Sequence, residues 1–434
     1  MNKFEPLVGK LVKPTNQKIG KILGGKSPLH ESTVRNWKKN KLDVYEEKLL
    51  EYRLMKAPFI TKDDFIKSNS GYDSELLTIK NIENKMLSGI KDKNGELLFP
   101  TNLLDIMKYI EEIRNFKDPS VISIANFKGG VGKTTTTINL ATILSFYGFN
   151  VLLVDFDIQG NTTAMFDIYR YKKNPNKKPN LSLVDLEQIY DIKKSDFVYS
   201  IVDLLCEIEN DIIEDLIKNN IVNLNDRVKT KGKLDILPND SSIENALKFE
   251  DIETKLKTYG NINQVLDEVL GFVKKDYDFI IIDTPPSIKL DLRMAVLATD
   301  YFVVALTPDK MAKDGISSFI VPIEMNSKAY KKLKKKDIVI LGGIINQYQS
   351  NINIHKLNKE MIEDELINTV ENSDLGETSL FEQFIKMDNI LKEAQTDMGS
   401  VLLYEPTHEL VRDYFNLVDE ILEKILIDKY SKSE

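Results

Sequence analysis

From Val121 onward the hydrophobic pattern alternates between two periods. "VISIAN" (121–126), "VLLVDFD" (151–157), "LDILP" (234–238), "YDFIIIDTPP" (277–286), "YFVVALTP" (301–308) and "IVILGGIIN" (338–346) are apolar runs of strand length, rich in β-branched residues. Between them lie helical stretches such as "GKTTTTINLATILSFYG" (132–148), which Gly148 closes. Buried runs alternating with helices predict an α/β fold with a mostly parallel sheet covered on both faces. Upstream the pattern differs. Residues 61–118 mix loop-like text ("TKDDFIKSNSGYDSE", "IKDKNGELLFP") with helix-like runs, the clearest being "TNLLDIMKYIEEI" with Thr101 as its expected N-cap. Residues 1–60 predict short basic helices around the only tryptophan, Trp37.

The first strand of the alternating region runs straight into "FKGGVGKTT" (127–135). A phosphate-binding loop reads G-x-x-x-x-G-K-[ST]; Gly132, Lys133 and Thr134 match its end, whereas Phe127 stands where its first glycine belongs. Such a loop aims backbone N–H groups at one point beside a helix N-terminus, a ready anion site. Gly129, Gly130, Val131, Gly132, Lys133, Thr134 and Thr135 are therefore the expected nucleotide contacts, and Asn346 at the end of "IVILGGIIN" is added to them. Lys133 neutralises the β/γ-phosphates and Thr134 holds Mg²⁺ in this reading. "FIIID" ends a strand in Asp283, suited to reach Mg²⁺ through water. Asp155 and Asp157 share a strand face if their strand continues that far. Asp157, nearer the carboxyl edge where ligands sit, is the candidate to position an attacking water. Asp155 is either a Mg²⁺ ligand or a structural carboxylate holding the loop. A guanine-marking N/T-K-x-D box is matched only by "TKDD" (61–64), upstream of the loop and after no expected strand, so ATP is favoured.

"KGGVGKTT", "VLLVDFDIQGN" and "FIIIDTPP", in this order and spacing, resemble the deviant Walker-A ATPases of the ParA/Soj–MinD family, from about Val121 to Ile427. The stretch "NILKEAQTDMGSVLLYEPTHELVRDYFNLVDEIL" is similar to that family's closing segment, and Ile158 departs from the usual proline. The resemblance implies ATP/ADP and Mg²⁺ as cofactors and a homodimer that sandwiches nucleotide. It also gives the second loop lysine, Lys128, a role: reaching across to phosphates on the other subunit.

Composition then narrows the class. One cysteine, Cys206, and three histidines exclude a disulfide framework and give no metal-ligand spacing. They also set aside the cysteine-dependent nitrogenase-like and arsenite-pump relatives. No run approaches the roughly 18 apolar residues of a membrane span, and the N-terminus has no apolar signal segment, so a cytoplasmic, nucleoid-associated protein is expected. In "ELVRDYFNLVDEILEKI" the polar residues are five acidic to two basic, which suits a core helix better than a membrane-seeking one.

The net charge of −8 hides an asymmetry: residues 1–42 hold nine lysines and Arg35 against Glu5 and Glu31, net +8, leaving −16 for the rest. "TNQKIGKIL" and "STVRNWKKN" resemble a helix-turn-helix whose connection, longer than the tight form, leaves room for a wing, with Thr33, Arg35, Asn36, Lys38 and Lys39 as DNA-contacting residues. A basic solvated helical hairpin is the alternative. The expected organisation is a helix-turn-helix domain at 1–60, a helical linker or dimerisation region at 61–118, and a ParA-type P-loop ATPase domain at 119–434. The expected function is a plasmid-partition ATPase with operator DNA, nonspecific DNA and a ParB-like centromere-binding protein as partners. The competing readings are a nucleotide-sensing regulator with negligible turnover and a MinD-like positioning ATPase. "YRYKKNPNKKPN" (169–180) is a solvated loop or a phosphate-contacting one; Lys386, Lys392 and Arg412 are candidates for a nonspecific DNA surface or simply solvated charges.

Overall fold

The computed structural model describes residues 97–166 and 200–433, with breaks at 210, 229, 257–260, 288, 335–336, 374 and 398. It also describes residues 7–8, 38, 48–50, 57–68, 90–91 and 168. Its frame is a seven-stranded sheet. Strands β5 (Ser120–Ala125), β6 (Val151–Asp155), β8 (Leu234–Leu237), β9 (Phe279–Asp283), β10 (Tyr301–Leu306) and β11 (Val339–Ile345) pair in parallel, and the short β7 (Val222–Asn223) adds antiparallel at one edge. The order is β11-β10-β5-β9-β6-β8-β7. Every residue of β5, β6, β9 and β10 is buried, as expected of parallel strands covered on both faces.

Alternation divides the side chains between the two faces. Ile122, Ile124, Leu153 and Ile281 join the cluster beneath the helix Lys133–Phe146 (here α3) and the C-terminal helix Glu409–Ser431. Leu152, Val154, Ile280 and Ile282 face the opposite layer, which holds Val265–Gly271 and Leu290–Ala298. The C-terminal helix buries Leu410, Tyr414, Leu417, Ile421 and Ile425, the expected core stripe. Among the described residues no helix is long and apolar enough to cross a membrane.

The region before residue 118 differs from its helical expectation. A second, four-stranded sheet runs β1 (Leu7–Val8), β3 (Ile90–Lys91), β4 (Leu97–Pro100), β2 (Phe59–Thr61) in spatial order. The expected boundary at residue 60 falls inside β2, and "LLFP", read as loop, is a strand antiparallel to it. The cause is tertiary: β2 is three residues long, too short for a clear period, and gains its partner β4 from 37 to 41 positions away. "TKDD" therefore does follow a strand, but one in this small sheet, where Thr61 Oγ1 accepts from Asp64 N at 3.1 Å and caps the helix α1 (Lys62–Ser68). Thr101 is likewise not the N-cap of α2 (Leu103–Asn115): Asn102 takes that position, and the Thr101 hydroxyl donates back to Ala57 O at 3.3 Å. Of the expected DNA-contacting residues only Lys38 is described, helical and exposed; Thr33, Arg35, Asn36 and Lys39, and the 169–180 loop, lie outside the described residues.

The small sheet is fastened to the ATP-loop layer by aromatic contacts. Phe59, 1% exposed, meets Phe146 edge-on at 5.7 Å and Phe415 at 5.5 Å. Beside it Asn102 Nδ2 donates to Tyr147 Oη at 2.8 Å and to Asp419 Oδ2 at 2.6 Å, and Tyr147 Oη donates to Asp419 Oδ1 at 2.9 Å. Arg412 belongs here too: its guanidinium donates to Thr101 Oγ1, so it is no free surface cation. Lys386 lies 3.3 Å from Asp413, while Lys392 remains exposed. Truncating Phe59 to alanine removes a ring shared by two layers. Phe59→Ala is expected to cost about 3–5 kcal/mol, read as a lowered midpoint in urea; a shift under about 1 kcal/mol would show that the small sheet is not a fastened part of this fold.

Candidate functional site

β5 delivers the chain to Asn126, whose Nδ2 donates to Ala305 O at 2.6 Å and whose Oδ1 accepts from Lys128 N at 2.9 Å. The loop then turns into α3 at Gly132, whose φ of +90° is the left-handed region that glycine alone adopts without strain. A Cβ there would also stand 3.0 Å from Asn346 Nδ2. By contrast, a Cβ on Gly129 or Gly130 would meet nothing within 4 Å, so the loop's outer face is open for a ligand to approach its backbone.

Asn346 is buried under this loop rather than beside its opening. Its Nδ2 donates to Val131 O at 2.9 Å, and its Oδ1 accepts from Thr136 Oγ1 at 3.4 Å. The geometry makes it a brace that fixes the loop's shape. Gln347, the one described non-glycine residue with positive φ (+58°), adds a second tie, donating from Nε2 to Gly130 O at 2.8 Å. Thr135 accepts from Gln395, and Val131 is buried in the core.

Two lysines leave this loop in different directions. Lys133 is only 7% exposed; its Nζ donates to Lys128 O at 3.3 Å, and Asp283 and Asp157 act on it electrostatically. Burial lowers its pKa and the two carboxylates draw it back up. Lys128 instead sits at the mouth, with Nζ 2.7 Å from Asp309 Oδ2, both side chains about two-fifths exposed. Asp309, also tied to Thr307 Oγ1 at 2.5 Å, is held below its ordinary pKa: burial pushes it up, but the hydrogen bonds from Lys128 and Thr307 outweigh that.

The acidic residues come from two neighbouring strands. Asp155 and Asp283 end β6 and β9 in register with each other. β6 stops at Asp155, so the same-face argument for Asp157 does not apply: Asp157 lies on the turn beyond, where Oδ1 accepts from Gln159 N at 3.0 Å. Asp283 Oδ2 accepts from Thr162 Oγ1 at 2.7 Å and Oδ1 from Thr137 Oγ1 at 3.5 Å, and the nearby Thr134 hydroxyl helps to hold the carboxyl's pKa down. Burial pushes Asp283 up to about 6 despite the bonds from Thr162 and Thr134. Asp155 is pushed further, to about 8, by burial and by the neighbouring Asp283, against two hydrogen bonds from Thr163. Its Oδ2 takes both of those, from Thr163 N and Oγ1 at 2.7 Å each. Its Oδ1 is buried with no partner.

Asp157 and Asp283 face the one buried Lys133, and Asp155 stands against Asp283, so the pocket beside the anion cradle holds more acidic groups than cationic ones. A divalent cation fits that imbalance, as does the orphaned Asp155 Oδ1. Among the described residues no three His, Cys, Asp or Glu form a metal cage of their own. Mg²⁺ behaves in keeping with this, since it shares its ligands with phosphate oxygens and water.

The family described as "AAA domain" matches residues 119–340, just over half of the chain. The chain is a member of the ParA/Soj–MinD family of P-loop ATPases. It is 29% identical over 302 residues to the sporulation initiation inhibitor protein Soj of Bacillus subtilis, covering 69% of this chain and 97% of Soj. A ParA family protein of Chlamydia pneumoniae is 25% identical over 312 residues, covering 69% of this chain and 96% of its own. Among solved structures, a putative plasmid partition protein of Borrelia burgdorferi bound to AMPPNP has 23% identity and a TM-score of 0.43, covering 71% of this chain and 99% of that one.

Thr162, Thr163, Asp309, Gln347 and Asn239 were not singled out from the sequence. Thr162 and Thr163 directly follow "DFDIQGN", and Asn239 and Asp309 directly follow "LDILP" and "YFVVALTP", so each adjoined a stretch the sequence had already marked. Asp155 yields a pH prediction for the ligand-free protein. Its folded pKa is raised above the ordinary 3.8, so between about pH 4 and pH 8 the folded state holds a proton that the unfolded chain releases. This contribution makes stability fall as pH rises through that window. Asp155→Asn is therefore expected to raise the unfolding midpoint at pH 8, with a gain that shrinks toward pH 5. A pH-independent gain, or a loss at pH 8, would contradict the assigned protonation.

Proposed function

We propose that the chain is a DNA-partition ATPase of the ParA type, in which ATP and Mg²⁺ bind at the loop 127–135, drive dimerisation and are reset by hydrolysis. The observation that carries this reading is the division of labour between the two loop lysines: Lys133 buried against the site carboxylates, Lys128 at the open mouth. Lys133 and the backbone N–H groups at the start of α3 bind the phosphates. Thr134 and Asp283 hold the Mg²⁺, with Asp155 behind them; the ion supplies charge neutralisation across the β/γ-phosphates. Asp157 orients the water.

Lys128 reaches a second subunit's nucleotide in this scheme. Its pair with Asp309 is no obstacle, because an exposed ion pair of this kind is worth only about 0–1 kcal/mol. A triphosphate offered by a partner face outcompetes it. The homodimer then coats nonspecific DNA, a ParB-like centromere-binding partner stimulates turnover, and the basic residues 1–60 bind operator DNA through Arg35, Lys38 and their neighbours. A plasmid as the cargo accords with the added basic N-terminus and with a Chlamydia psittaci protein described as a virulence plasmid ParA family protein, to which the chain is 25% identical over 309 residues. The competing reading, a nucleotide-sensing regulator, keeps ATP and DNA binding but lacks turnover.

Light scattering with ATP and Mg²⁺ tests the arrangement. Lys128→Ala is expected to bind nucleotide within about threefold of wild type yet to remain monomeric, whereas Lys133→Ala is expected to lose nucleotide binding by calorimetry. An undiminished dimer population in Lys128→Ala would leave that lysine as a loop charge and remove the sandwich from the scheme. For the N-terminus, Arg35→Ala with Lys38→Ala is expected to weaken operator binding, with a cost of about 1–3 kcal/mol for a lost base contact, while random-duplex binding by the ATP form survives. Equal loss on both duplexes would make residues 1–60 a general DNA-affinity arm.

A further inference from the structure

Asn239 lies just past the end of β8, fully buried; it bonds the Asp157 turn directly and reaches Asp155, the last residue of β6, through Thr163. Its Nδ2 donates to Asp157 O at 3.0 Å. Its backbone N–H donates to Thr163 Oγ1 at 2.9 Å, and that same hydroxyl donates to Asp155 Oδ2. Its Oδ1 accepts from Asn245 Nδ2 at 2.8 Å, and Asn245 Oδ1 in turn accepts from Ser200 Oγ at 2.6 Å. Every polar atom of the Asn239 side chain thus has a buried partner, so its rotamer is fixed from both sides.

The backbone confirms the close fit. The Asp157 turn closes with Gly160 N donating to Asp157 O at 2.8 Å, and Gly160 has a φ of +60°. A Cβ on Gly160 would stand 3.2 Å from Ser241 N and 3.5 Å from Asn239 O. The 157–160 turn is therefore pressed against 239–241 with no room for a side chain between them. Asp157 reaches the site from a turn, not from a strand, so its position depends on what holds that turn. Two bonds converge on its carbonyl: one is internal to the turn and the other comes from Asn239.

We infer that Asn239 is a positioning residue for ATP hydrolysis, fixing the Asp157 turn directly and the Asp155 carboxylate through Thr163. The inference rests on the function proposed above, in which Asp157 orients the attacking water. Asn239 touches no nucleotide in this scheme; it acts on turnover and not on affinity. A residue that merely stabilised the fold would alter both or neither.

The test is single-turnover hydrolysis of ATP with Mg²⁺ by the full chain, alongside calorimetric ATP affinity. Asn239→Ala removes the side-chain donor but keeps the backbone N–H to Thr163. The rate is expected to fall at least about tenfold, since a reacting group displaced by about 1 Å costs up to a hundredfold, while ATP affinity stays within about threefold. An unchanged rate in folded Asn239→Ala overturns the inference, and so does a parallel loss of rate and affinity. If Asn239→Ala does not fold, Asn245→Ala frees the Asn239 side chain from the other side, and the same split with a smaller rate loss is expected. Wild-type protein that binds ATP without hydrolysing it would instead sink the hydrolytic reading itself, and this inference with it.

Discussion

Uncompensated charge at the carboxyl edge of the sheet is the constraint around which this protein is built. Asp155, Asp157 and Asp283 are all buried, and among the described residues Lys133 is the cation that acts on Asp157 and Asp283. Burying a carboxylate without a counter-charge is expensive, and the protein meets that expense locally with hydroxyls and backbone amides from Thr134, Thr162, Thr163 and Gln159. These side chains come from elements that have no other reason to meet. The strand order places β9 between β5 and β6, so the glycine loop and two carboxylates fall within one neighbourhood. Carboxylates held partly protonated in the absence of ligand become a strong attraction for a divalent cation once phosphate arrives. The site is unfinished by construction.

Much of this was legible in the chain because its strongest signals are local. "GKTT" after a β-branched run, and aspartates closing two apolar runs, are contiguous words whose meaning survives without tertiary information. The six parallel strands followed for the same reason: they are buried almost throughout and so stand out as unbroken apolar runs, whereas the two-residue antiparallel β7 gave no such run. What stayed hidden depends on partners distant in sequence. Asn346 was placed with the nucleotide contacts, yet its amide braces Val131 and Thr136 from 215 and 210 positions away. Asp157 was aligned with Asp155 by strand periodicity, but β6 ends first. Phe59 and "LLFP" carry no period because each strand is short and is stabilised by the aromatic layer it rests on. Arg412 looked like a surface cation on a helix until the small sheet covered it.

The helix α3 starts at the phosphate loop and ends at Phe146, against which Phe59 of the small sheet is packed. Its 14 residues span about 21 Å. The two ends of one stiff rod thus belong to different parts of the chain: nucleotide at the first, the N-terminal sheet at the second. Asp419, half-buried beside the second end and pushed up to about 7 chiefly by desolvation, is bonded by Asn102 from before the family's matched region and by Tyr147 from within it. The region matched by the family begins at residue 119, but the hydrophobic surface of that region does not end there. For anyone exchanging modules between such proteins, a graft cut at 119 would strip the aromatic cap from Phe146 and Phe415 and leave them wet. Any exchange of modules therefore has to carry β2 and β4 along with the ATPase layer, because Phe59 packs into the interior of that layer.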